Sequence, residues 1–85
     1  MEVYIFLSQV NFDCLYKAVP EDSKSRHTLD ENVKLQDRGF SPVVGSIAIK
    51  CDEEESRDLL YHAQSHCKAA VESIRLAMRS AGITV

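Results

Sequence analysis

His62 and His66 stand four residues apart in a stretch with helical periodicity, the spacing at which two imidazoles can reach one metal ion. Cys67 is their neighbour in sequence, but on a helix it points about 100° away from His66, toward the apolar side. A closed site would need Cys51, His27 or a carboxylate to complete it. The HExxH pattern is absent, because Ala63 follows His62. The pair is therefore read as two surface or interface histidines, and neither a metal nor another cofactor is expected.

Nucleophilic chemistry would require Cys14, Cys51 or Cys67 beside a histidine. Cys67 falls within an apolar stripe and Cys51 alternates with Ile47 and Ile49, so both read as buried and unreactive. Cys14 alone reads as accessible. Three cysteines without a CxxC pair suggest small buried thiols rather than a disulfide framework.

Asp13 lies just past the first apolar segment, where some small ferredoxin-like ribonucleases carry a carboxylate. A metal-dependent nuclease acting through Asp13 is the alternative function this residue raises, although turn capping explains a lone Asp equally well. The acidic run from Asp52 to Glu55 fits helix capping, since its side chains would fan around one turn rather than converge on a cation. With three glycines in the chain there is no glycine-rich phosphate loop.

These residues must be positioned by the stretch from Asp52 to Gly82, which reads as one long amphipathic helix over 53–81. Asp52 and Glu55 form a capping box, and Glu53 and Glu54 meet the positive end of the dipole. Gly82 supplies the stop. Leu60, Ala63, Cys67, Ala70, Ile74, Ala77 and Met78 recur at three- and four-residue spacing and make one core face. Arg57, Lys68, Glu72, Arg75 and Arg79 fall within roughly 60° on the wheel. This column is read as a solvated face, because Glu72 sits in its middle; a nucleic-acid contact with Tyr61 stacking is the less favoured use. Between column and core runs a neutral strip of His62, His66, Ala69, Ser73, Leu76 and Ser80. Either the segment 13–41 covers that strip, or it is a partner-binding or self-association surface; both readings stay open.

Upstream, VYIFLSQVNF predicts a strand over 3–12, interior to a sheet because both faces begin apolar. A loop or short helix follows over 13–31, with 21–27 as a mobile loop. Val33 and Leu35 alternate with Lys34 and Gln36, so 32–37 is read as a strand of a hairpin. A short helix started by Thr28 and Glu31 is the alternative, disfavoured because it would bury little apolar surface. Strands are expected over 43–51 and 83–85. The order resembles a ferredoxin-like βαββαβ layout with a reduced first helix. That implies a single α+β domain, an antiparallel sheet of three to four strands with one long C-terminal helix packed on one face.

Eighty-five residues make one small domain. A net charge of −3 argues against a nucleic-acid binder, which needs a concentrated basic surface. No apolar run approaches the roughly 20 residues that span a bilayer. Glu2 replaces a basic n-region, and a cytoplasmic protein is expected. The functional expectation is a non-catalytic protein–protein interaction module, a homodimer that binds a protein partner. An inhibitor, immunity or antitoxin-type protein, or a phage accessory protein, is the narrower reading.

Overall fold

The computed structural model describes residues 2–37 and 46–85. In chain order the elements are β1 (Val3–Ser8), α1 (Gln9–Ala18), α2 (Lys24–Asp37), β2 (Ser46–Cys51), α3 (Glu53–His66) and α4 (Lys68–Ser80). β1 and β2 pair antiparallel, with Val3 opposite Cys51 and Ser8 opposite Ser46. Val3, Ile5, Leu7, Ile47, Ile49 and Cys51 face inward and are buried together with Phe12, Leu15, Leu29, Leu59, Ile74 and Met78. The outer face of the strand pair is left to Tyr4, Phe6 and Lys50, all exposed.

This overturns the ferredoxin-like sandwich. Among the described residues there are two strands and four helices, with neither a three- to four-stranded sheet nor one long helix. Four local readings change with it.

The strand expected over 3–12 stops at Ser8. Its Oγ accepts from the Asn11 amide at 3.2 Å and caps α1. Phe12, Leu15 and Val19 then lie three and four apart and are all buried, while Val10 is 76% exposed. The β-rich composition favoured a strand, but the spacing of the buried residues is helical.

The strand expected over 32–37 belongs to α2, and so does part of the expected loop, since α2 begins at Lys24. Its buried face is Ser25, Thr28, Leu29 and Asn32, mostly polar. Each polar member finds a partner. Ser25 Oγ donates to Asp58, and Thr28 Oγ1 contacts Glu55 and the Lys24 carbonyl. Asn32 bonds the backbone of Lys50. A helix with little apolar surface is thus held by hydrogen bonds to residues far away in sequence.

The long helix is two helices, interrupted at Cys67, whose φ of −135° and ψ of 66° are not helical. Its start is as expected: Asp52 and Glu55 complete a reciprocal capping box. At the other end Gly82, with φ +89°, makes a Schellman stop. The Ile83 amide donates to Met78 O at 2.9 Å and the Gly82 amide to Arg79 O at 3.0 Å. Residues 83–85 form no strand; Ile83 is instead buried against the core. Of the strand expected over 43–51, 46–51 is present and 43–45 lie outside the described residues.

The cysteines also differ from expectation. Cys14 on α1 and Cys67 at the helix break are joined in a disulfide, with Cα atoms 6.0 Å apart. Cys51 is the free, buried thiol.

Candidate binding groove

Strand alternation sends Val3, Ile5 and Leu7 into the core and therefore turns Tyr4 and Phe6 outward. α4 packs beside β1 through Ala70, Ile74, Ala77 and Met78. Its residues at 73, 76 and 80, spaced by three and four, then border the outer face of the strand. Between the two elements lies a groove of about 360 Å³, walled by Tyr4 and Phe6 on one side and by Ser73, Leu76 and Ser80 on the other. Tyr4 is 49% exposed, Phe6 45% and Leu76 65%. Three large apolar side chains thus meet in water on one patch, where single scattered ones are usual.

One end of the groove is polar and fixed. The Tyr4 hydroxyl donates to Glu2 Oε2 at 2.6 Å, and Lys50 Nζ lies 3.1 Å from Glu2 Oε1. The Tyr4 hydrogen bond, then Lys50, holds the Glu2 carboxyl below its usual range. The same contacts raise the Tyr4 phenol and the Lys50 ammonium. These groups are solvent-exposed, so the effect orients the Tyr4 ring more than it stabilises the fold.

Of the residues read from sequence as one neutral strip, Ser73, Leu76 and Ser80 line this groove, and His62, His66 and Ala69 do not. The interruption at Cys67 lies between the two sets on the chain, apart from Ala69, which is exposed in the first turn of α4. His66 is exposed on the last turn of α3. His62 is mostly covered, its Nε2 3.8 Å from Asp58 Oδ1 and its ring edge-on to Tyr61. Tyr4 and Phe6 are not among the site residues read from sequence, because an apolar start on both faces reads as a strand interior to a sheet. The signal was present in the alternation itself, which places two aromatics opposite three aliphatics.

Other candidate chemistry resolves into structural roles. Asp58 accepts from Ser25 and faces His62, so a hydroxyl, a carboxylate and an imidazole are in line. The carboxylate stands in the middle, and Ser25 is fully buried; a nucleophilic triad needs the imidazole next to an accessible hydroxyl. The acidic run is engaged residue by residue. Asp52 and Glu55 make the cap, Glu53 pairs with Arg57 at 3.1 Å, and Glu54 pairs with Lys24 at 3.1 Å. Asp13 is exposed on α1, accepts from Gln9 Nε2 at 2.8 Å, and shares a shallow depression with Phe12, Tyr16, Asp30 and Val33. Asp30 in turn accepts from the Tyr16 hydroxyl at 2.5 Å, and the Arg26 guanidinium lies 4.1 Å over the Tyr16 ring. Among the described residues no three His, Cys, Asp or Glu side chains converge on a possible metal position. Burial, followed by Glu55 and Asp52, pushes the Cys51 thiol up to about 12, which leaves it protonated and a poor nucleophile.

Among the described residues no helix is long and apolar enough to cross a membrane. No protein-family model matches the chain, and neither does any curated protein or solved structure.

Proposed function

We propose that this protein acts by binding another protein rather than by catalysis, and that the groove between β1 and α4 is the binding surface. The supporting observation is the joint exposure of Tyr4, Phe6 and Leu76 around one recess. Burying such a patch removes apolar area from water at about 25 cal/mol per Å², and interface centres are enriched in aromatic anchors of this kind.

A second copy of the chain is the simplest occupant. A two-fold contact needs a projection and a recess on the same patch. Leu76 is the projection, and the space between it and Phe6 is the recess. Glu2 and Lys50 at the rim add one charge of each sign, so the patch does not repel itself. The cytoplasm is the proposed compartment, where a disulfide such as Cys14–Cys67 is transient rather than permanent. Nothing in the geometry favours the narrower reading as an inhibitor, antitoxin or phage accessory protein, and it is not carried further.

The test is light scattering on wild type, Leu76→Glu and Phe6→Glu, with circular dichroism to confirm folding. A dimer in wild type that both substitutions dissociate supports the groove as its seam. A wild type that stays monomeric at high micromolar concentration removes the second copy as occupant.

A further inference from the structure

We infer that the Cys14–Cys67 disulfide is a redox latch on a domain swap, in which α4 leaves its own β1 and docks on β1 of a second copy. The inference rests on the helix break and is independent of the groove. The sequence at the break, His66-Cys67-Lys68, holds no glycine, proline or N-capping residue. α4 has no side-chain cap, no acidic residue in its first turn, and Lys68 at the position where the helix dipole disfavours a cation. The start of α3, by contrast, is fully capped. The chain therefore encodes one helix start where the fold has two.

The buried positions Leu59, Ala63, Cys67, Ala70, Ile74 and Met78 also keep three- and four-residue spacing straight through the interruption. What marks Cys67 is its bond to Cys14, which pins the break to α1. At the junction the Cys67 amide closes α3 on Ala63 O at 2.8 Å, and the Ala70 amide turns back to Cys67 O at 2.9 Å. Among the described residues, no carbonyl accepts from the Lys68 or Ala69 amide across the break.

A straight helix over 53–80 would be about 42 Å long at 1.5 Å per residue. The longest extent of the molecule is 31 Å. Straightening must therefore carry α4 off its own β1, exposing Ile74 and Met78 unless another copy receives them. A swap meets this condition. The same α4–β1 core forms between two chains, while the junction amides gain helical partners. Exchange of one helix between copies through a hinge needs no new interface chemistry.

Opening the latch requires a dithiol reductant. Its thiolate attacks Sγ of Cys14, the less buried of the two sulfurs, and Cys67 Sγ leaves and takes a proton. The reductant's second thiol then displaces Cys14, leaving two protein thiols and a disulfide on the reductant. Cys51 does not intervene, being buried and protonated.

The test compares the 85-residue chain, oxidised and treated with dithiothreitol, by light scattering and amide hydrogen exchange after prolonged incubation at high concentration. Reduction should yield a dimer that survives dilution, with exchange of the Lys68 and Ala69 amides slowed at least tenfold. Cys14→Ser should give the same dimer without reductant. Lys68→Pro should block it, since proline is tolerated in the first turn of α4 but not inside a continuous helix. Leu76→Glu should leave it intact, which separates it from a dimer seamed at the groove. In Leu76→Glu, where a groove dimer cannot raise the starting size, a reduced protein that keeps its oxidised size, or whose Lys68 and Ala69 amides exchange faster, overturns the latch, as a simple staple would loosen there. Should Cys14→Ser fail to fold, reduction of Leu76→Glu with both cysteines in place decides by the same two readouts.

Discussion

The side-chain amide of Asn32 grips the backbone of Lys50 at both ends. Asn32 Oδ1 accepts from the Lys50 amide at 2.9 Å, and Asn32 Nδ2 lies 3.4 Å from the Lys50 carbonyl oxygen while also donating to Thr28 O at 2.7 Å. Asn32 thereby does for β2 what a third strand would do, and it closes a sheet edge that would otherwise be open to pairing. Asn32→Ala should lower stability by about 1–3 kcal/mol, the usual cost of leaving buried backbone groups unpaired. Asn32→Asp should be no better, because it removes the donor. Urea denaturation checks both, and a change below about 0.5 kcal/mol would mean that water replaces the amide without loss.

Ile74 is fully buried at the centre of α4, against the strand pair. Ile74→Ala should cost about 2–5 kcal/mol by lost transfer energy and a residual cavity. Leu76, two residues on, should accept Glu with a stability change within about 0.5 kcal/mol. The contrast, measured by denaturant midpoints, tests which side of α4 meets β1.

The Cys14–Cys67 bond closes a loop with a sequence separation of 53 residues. On the chain-entropy relation, that loop stabilises the fold by about 4 kcal/mol. Reduction at low protein concentration, where chains do not meet, should lower the unfolding free energy by about that amount. Cys14→Ser should show the same loss and no further response to reductant.

The Cys51 thiol is raised to about 12 by burial, from an ordinary value near 9. The unfolded chain then loses this proton first as pH rises, so the unfolded state is favoured. Its contribution is constant below pH 9 and declines between pH 9 and 12. The stability difference between wild type and Cys51→Ala should therefore shrink from pH 7 to pH 10.5. In the folded protein at pH 8, a thiol reagent should label Cys51 slowly.

Much of this protein is written locally. The capping box at Asp52 and Glu55, the stop at Gly82, the core phase of Leu59 through Met78 and the inward set Val3, Ile5 and Leu7 all follow from neighbours in sequence. So does the neutral character of Ser73, Leu76 and Ser80, which needs only a helical wheel. What tertiary structure decided depends on partners far along the chain. Residues 24–37 are helical because Asp58, Glu55 and Lys50 satisfy Ser25, Thr28 and Asn32, and no window around residue 30 contains those partners. The break at Cys67 is set by Cys14 and by a molecule shorter than a straight helix would be, while the local sequence favours continuing. Tyr4 and Phe6 face a groove because the described residues supply only two strands and leave that face of β1 uncovered. Periodicity fixes which side of an element is apolar; how many elements arrive to cover it is a property of the whole chain.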